Sequence, residues 1–298
     1  MHLLTSCFRA TYRAETPFVM PHDFGGVVAA VVARALLRVG CATRPACGGV
    51  CADPVHCSVG RLLAPPLPRS GGHPLLRGRT SPISPLLPLV PEPRRFVVPA
   101  GATFDVGLRV MGPLPDGEAA LLVHAFETVP NLDQGPDLGR VTLVSLTSDG
   151  LRNAPILLAP ESAPSRRVDV TFITPAWIEE DAKVDPALEF RTLFRAIYRR
   201  LGVVAVLFGE LDDDFEGAFD ALDRAAESVR VSERVTRIAR WQRRDLARGV
   251  RVPRMGILGA VRFEGTLAPF VPYLRAAEVL HVGKLAGEGL GRLRCAFD

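Results

Sequence analysis

Nine prolines crowd the 31 residues from Pro65 to Arg95. Proline fixes φ and lacks an N–H, so this density forbids helix interiors and inner strands. Regular structure must therefore be built on either side of a surface excursion spanning residues 41–95. Four of the six cysteines stand at the head of that excursion. Cys41, Cys47, Cys51 and Cys57 are spaced C-x5-C-x3-C-x5-C, with His56 beside the last. Four thiolates this close suit a tetrahedral structural zinc site better than a disulfide scaffold. Reduced thiols in a compact loop, or an iron–sulfur cluster, fit the same spacing.

The blocks around the excursion alternate strands and helices. Phe8 to Phe18 reads as a strand. Asp23 can cap a helix over Phe24 to Val39, and Gly40 suits its end. Thr103 to Val110 reads as a strand, Glu118 to Thr128 as a helix holding His124 in its core face, and Arg140 to Leu146 as another strand. A Pro- and Ser-containing loop, Ala159 to Ser165, separates domains at 1–158 and 166–298. The second block restarts with a strand, Val168 to Thr174. A helix over 188–201 turns Phe190, Phe194, Ile197 and Leu201 inward and Arg191, Arg195 and Arg199 outward as a ridge. A second helix has Phe215, Phe219, Leu222, Ala226 and Val229 on its inner face. Met255 to Phe263 reads as a strand, Leu267 to Leu274 as a short helix broken by Pro269 and Pro272, and Val279–Val282 and Arg292–Phe297 close the chain. Such alternation, without long βαβ repeats, predicts an α+β protein with two ferredoxin-like (RNA-recognition-type) domains in tandem, the first carrying the cysteine and proline insertion.

Composition narrows the function. The chain holds 298 residues, is 48% hydrophobic and has a net charge of only +4, so a polyanion partner must be argued from where the cations sit. Nine arginines fall between Arg230 and Arg254, against Glu233 and Asp245. No apolar run reaches the ~18 residues of a membrane span, and no secretory leader is visible. A cytoplasmic protein without a membrane partner is expected.

The C-terminal segment HVGKLAGEGLGRLR is the most informative. Gly283, Gly287, Gly289 and Gly291 can bring backbone close to a ligand and expose N–H donors, while Lys284, Arg292 and Arg294 surround them. A glycine-rich turn beside surface cations is the plainer alternative. The segment is neither a P-loop nor a dinucleotide fingerprint, so no nucleotide cofactor is expected.

This segment resembles the glycine-rich end of the CRISPR-associated precursor-RNA processing endoribonucleases of the RAMP superfamily, the Cas-six type. TFITPAWI (Thr171 to Ile178) is similar to the strand that opens that family's second domain. FRTLFRAIYRRL (Phe190 to Leu201) is similar to its Arg-bearing helix, and RVPRMGILGAVRFEGTLAPFVPYL (Arg251 to Leu274) to its glycine strand and following helix. TFDVGLRVMGPL (Thr103 to Leu114) and CSVGRLLAP, closing the cysteine region, also match. Glu288 stands where the family's loop has an aromatic residue.

The resemblance implies processing of CRISPR repeat RNA by metal-independent cleavage. The ribose 2′-OH attacks the adjacent phosphate, leaving a cyclic phosphate and a 5′-hydroxyl, with no cofactor for catalysis. Such chemistry needs a base, cations for the developing charge and an acid for the leaving oxygen. It also implies a catalytic histidine near the first helix, which His22 matches; His281, at the mouth of the glycine loop, is the second candidate. Lys284, Arg292, the loop glycines and the Arg191, Arg195 and Arg199 ridge, extended by the arginines of 230–254, are the expected RNA contacts. The alternative is a non-catalytic guide-RNA-binding subunit of a CRISPR effector complex, in which case other effector subunits become partners.

Overall fold

The computed structural model describes residues 1–21, 23–41, 56–65, 73–76, 83–90, 97–129, 139–148, 153–158, 165–179, 184–212, 214–245 and 250–298. It divides into two compact units, Leu3–Pro155 and Ile156–Asp298 with Met1–His2.

The first unit runs β1 (His2–Ala14), β2 (Phe18–Val19), α1 (Phe24–Gly40), α2 (Ser58–Leu63), β3 (Leu86–Leu89), β4 (Val97–Val98), β5 (Thr103–Met111), α3 (Asp116–Glu127), β6 (Val141–Ser148) and β7 (Ala154–Leu157). Its main sheet has the order β3-β5-β1-β6 with antiparallel neighbours, and β2 pairs with β4 separately. With α1 after β1 and α3 after β5, this is the βαββαβ order of a ferredoxin-like domain. Alternation along β1 explains the packing. Phe8, Ala10, Tyr12 and Ala14 are buried, while Arg9 and Arg13 are exposed on the other face. Phe18, Phe24 and Phe104 meet edge to face or stacked, with ring centroids 5.4–6.4 Å apart.

The excursion contributes more than a surface path. Val59, Leu62, Leu86, Leu87 and Val90 are buried. Within it, β3 pairs with β5 and places Pro88 opposite Leu108. The excursion's prolines forbid inner strands, and β3 is an edge strand of the main sheet path, where a missing N–H costs little. Asp23 occupies the N-cap position of α1 without a side-chain capping hydrogen bond.

The second unit runs β8 (Arg167–Ala176), α4 (Phe190–Phe208), α5 (Phe215–Ala226), β9 (Arg230–Asp245), β10 (Val250–Glu264), α6 (Val271–Leu280) and β11 (Leu293–Phe297). Its sheet order, β11-β8-β10-β9, repeats the same topology, with α5 added before β9. The chain is thus an α+β protein of two ferredoxin-like domains in tandem. Phe190 and Phe194 of α4 pack edge to face on Phe270 at 5.0 Å, and Phe190 meets Phe263 of β10 at 5.2 Å. Both α4 rings are 1% exposed, and burying such a side chain stabilises the fold by roughly 1.5–3 kcal/mol.

Two readings of this half are corrected. Helix α4 runs past Leu201 to Phe208, because Gly202 packs inside it rather than ending it. Helix α6 starts at Val271 and continues to Leu280, since Pro272 sits in its first turn, where a missing N–H is harmless. The arginine-rich stretch, to which the sequence assigns no clear element, forms one long hairpin, with β9 and β10 paired antiparallel from Val250 opposite Asp245 to Glu264 opposite Arg230 and one register shift between Arg262 and Phe263.

Candidate nucleic-acid interface

The glycine-rich loop is tied to the end of β8 by its own backbone. The buried Thr174 hydroxyl donates to the Gly289 carbonyl at 3.0 Å and accepts from the Arg292 N–H at 2.8 Å. The Gly291 N–H donates to the Pro175 carbonyl, and the Lys284 N–H to that of Trp177, both at 2.9 Å. Inside the loop, the Val282 N–H donates to Gly291, that of Glu288 to Leu285, and that of Gly289 to Ala286, each at 2.9 Å.

These bonds change the reading of the glycines. The N–H groups of Gly289 and Gly291 are spent inside the fold and do not form a donor nest for a phosphate. Gly291 has φ 68°, and a side chain there would bring Cβ to 1.8 Å from the Val282 carbonyl oxygen. Gly283 has φ 85°, and its Cβ would lie 2.5 Å from the Trp177 carbonyl oxygen. Both glycines allow the loop to fold against its own chain. At Gly287 a side chain would meet open space, and its φ lies outside the left-handed region that Gly283, Gly289 and Gly291 occupy.

The loop's exposed cation is Lys284. Its ammonium pairs with Glu179 at 2.5 Å and lies 5.9 Å from the centre of the Trp177 ring. Glu179 also accepts the Trp177 indole N–H at 2.5 Å. The Lys284 ammonium holds the Glu179 carboxyl below the usual glutamate range, against the opposite pull of burial and with help from the indole. Arg254 of β10 stacks over the same indole at 5.3 Å. Arg292 is half-buried.

The helix ridge is engaged. Both Arg191 and Arg195 grip Asp223 of α5 through two hydrogen bonds each, at 2.6–3.1 Å. Arg191 also pairs with Glu227. Asp223 is buried, and Arg195 and Arg191 hold its carboxyl well below the ordinary carboxylate range despite that burial. The stability this brings is complete above the unfolded carboxylate's range near pH 4 and is lost as pH falls below it. These two arginines therefore clamp α4 to α5; Arg195 and Arg199 are both exposed, and Arg195 is nonetheless bonded to Asp223. On the hairpin, Arg234 reaches Glu189 at 3.2 Å, and Arg262 chelates Asp169 and pairs with Glu233, while Arg230, Arg237 and Arg240 are exposed.

His281 caps the end of α6 at φ 59° and is 1% exposed. Its ring is withdrawn from solvent, so in this arrangement it presents no nitrogen to an RNA. His124 is corrected from a core residue to an exposed one: Leu122, Ala125 and Phe126 fill the inner face of α3, and His124 stands outside, 3.5 Å from Glu127. His22, Cys47 and Cys51 lie outside the described residues. Cys41 is the C-cap residue of α1, and Cys57 is the N-cap of α2, where its sulfur accepts the Gly60 N–H at 3.4 Å. Among the described residues, no group of three His, Cys, Asp or Glu side chains could hold a metal ion. No helix among them is long and apolar enough to cross a membrane.

Sequence reasoning passed over Trp177 and Glu179. The available signal was an aromatic and an acid directly after the FITPA strand, at the end where the loop's lysine must land. It also passed over Asp223, which carries no local mark of its partners on α4.

A family model described as CRISPR-associated endoribonuclease Cas6 matches residues 170–293, which include the end of β8 and the whole glycine-rich loop. A second model, described as an N-terminal domain, matches residues 3–167. No curated protein matches the chain. Among solved structures, a Cas6 product complex aligns with a TM-score of 0.60 at 15% identity, covering 98% of this chain and 100% of that one. Thermus thermophilus Cas6 aligns at 0.56 and 15%, covering 99% of each. A chain of a partial Cas6-RT-Cas1–Cas2 complex aligns at 0.58 and 13%, covering 99% of this chain and 46% of that one.

Proposed function

We propose that the chain is a Cas6-type CRISPR-associated endoribonuclease, as its match over residues 170–293 supports, and that it cleaves CRISPR repeat RNA without a catalytic metal. A base takes the proton of the 2′-OH. The O2′ then attacks the adjacent phosphorus as the P–O5′ bond breaks, and an acid protonates the departing O5′. The products are a 2′,3′-cyclic phosphate and a 5′-hydroxyl. His22 is the proposed base. Lys284 and Arg292 are the proposed phosphate contacts, with Arg199 and the exposed hairpin arginines extending the track. The observation that carries the reading is the family match itself, because its span includes both the strand end and the loop that bear Lys284 and Arg292. The solved product complex on the same fold supports RNA as the ligand class.

Cleavage of repeat RNA in excess EDTA tests the mechanism. We expect a rate within about threefold of that in magnesium, and end-group analysis giving the cyclic phosphate and 5′-hydroxyl. Loss of cleavage in EDTA with the fold intact, or a 5′-phosphate product, overturns it. Tight RNA binding with no cleavage under either condition assigns the chain instead to holding guide RNA. The withdrawal of His281 from solvent is the observation that favours this second reading.

Cys41, Cys47, Cys51 and Cys57 are proposed as a structural zinc site, separate from the chemistry. Their spacing supports it, and so does the sulfur of Cys57 at the start of α2. Such a site would offset the entropy of ordering a segment with little core of its own. Elemental analysis of protein purified without a histidine tag should find about one zinc per chain. Less than a tenth of an equivalent of any metal rejects the site.

A further inference from the structure

The lysine of the glycine-rich loop is not presented alone. One carboxylate, Glu179, holds the Lys284 ammonium on Oε2 and the Trp177 indole N–H on Oε1, both at 2.5 Å. The two charged partners differ in freedom. The Glu179 side chain is 22% exposed, and its other oxygen is tied to a half-buried ring two residues earlier. Lys284 is 62% exposed at the end of a flexible four-carbon stem, although its backbone is pinned to Trp177 at 2.9 Å. An incoming anion can therefore draw the ammonium aside, while the carboxylate stays where it is. A glutamate carboxyl is ionised at neutral pH with or without the lysine, so a negative charge stands beside any phosphate that reaches Lys284.

On the reading of this loop as an RNA contact, we propose that Glu179 is a built-in competitor of RNA for Lys284. It occupies the lysine in the free protein, and binding must exchange a carboxylate for a phosphate. The exchange lowers affinity for substrate and product alike and so favours release of the cleaved RNA. An exposed ion pair of this kind is worth up to about fivefold in an equilibrium, and repulsion between the stranded carboxylate and the phosphate adds to it.

The test is a double-mutant cycle of Glu179→Gln and Lys284→Ala, read by RNA affinity at several salt concentrations and by single- and multiple-turnover cleavage. Gln keeps the shape of the side chain and an oxygen for the indole. Glu179→Gln should tighten repeat-RNA binding about three- to tenfold at low salt and steepen the salt slope by up to ~0.7, the value of one further phosphate contact on a single strand. Single-turnover cleavage should hold, and multiple turnover should slow as product stays bound. In the Lys284→Ala background the same substitution should change affinity less than about twofold. Unchanged or weaker binding in Glu179→Gln, where Lys284→Ala does weaken it, overturns the competition and leaves the loop contact standing. An equal gain in both backgrounds also overturns it, because Glu179 would then repel RNA without acting through Lys284. If Lys284→Ala leaves binding unchanged, the loop contact itself is wrong and the competition falls with it.

Discussion

Replacing His22 with alanine should slow single-turnover cleavage of repeat RNA at least ~100-fold while leaving RNA affinity near wild type. That factor equals about 2.7 kcal/mol of transition-state stabilisation. The attacking 2′-OH is a weak acid, so its proton must pass to a neighbouring base as the P–O bond forms. An imidazole titrates near neutral pH and is well matched to that work. The chain offers six histidines, and position narrows them. His281 is buried at the end of α6, His124 stands beside Glu127 on α3, and His56 adjoins the N-cap of α2. His22 immediately precedes Asp23, the N-cap of α1, on the connection out of β2 where the resemblance places a catalytic histidine. A base that acts only in the chemical step contributes to the rate and little to ground-state binding, hence the expected split. A rate within threefold of wild type eliminates His22. His281→Ala in the same assay then shows whether any movement of the loop brings the buried ring into play.

The legible parts of the fold are those where one period dominates locally. Phe190, Phe194, Ile197 and Leu201 fall on one face of a 3.6-residue helix, and all are buried. β8 alternates Val168, Val170 and Phe172 inward in the same transparent way. β9 is harder, because Arg230, Arg234, Arg237 and Arg240 recur at three or four residues, as on a helix. Its β-branched Val231, Val235, Thr236 and Ile238 give the competing signal, and its long pairing with β10 decides the outcome. Apolar neighbours make His124 look buried, although one residue of helical rotation separates it from Ala125. The glycine loop is legible as a site by its composition, but the job of each glycine is not. Whether an N–H faces a phosphate or the Pro175 carbonyl depends on a partner more than a hundred residues away. Separation hides the Glu179–Lys284 pair, 105 residues apart, and the Asp223–arginine pairs, 28 and 32 apart, since a charge shows its type in the sequence and its partner only in the fold.

What each cation is bonded to decides where RNA affinity should be lost and where stability should be lost with it. The double variant Lys284→Ala, Arg292→Ala should weaken repeat-RNA binding about tenfold or more at low salt. It should also make the slope of log affinity against log salt shallower by ~1.4, two phosphate contacts on a single strand. Both substitutions keep the backbone bonds that fold the loop. The backbone N–H of Arg292 bonds the Thr174 hydroxyl, its carbonyl accepts from Ile173 at 2.8 Å, and the Lys284 N–H bonds Trp177. Alanine keeps all three. The melting temperature of Lys284→Ala alone should stay within a few degrees of wild type, as for an exposed side chain, and that of the double variant is measured beside it. Arg191 and Arg195 behave differently. Removing either leaves the buried Asp223 carboxylate one guanidinium short, so lost binding there would come with lost stability. Comparing the two pairs by affinity, salt slope and melting temperature separates an RNA contact from a helix clamp. Unchanged affinity and slope in a folded Lys284→Ala, Arg292→Ala protein would make the glycine-rich loop a closing element of the second domain, and the RNA track would have to run over the hairpin arginines instead.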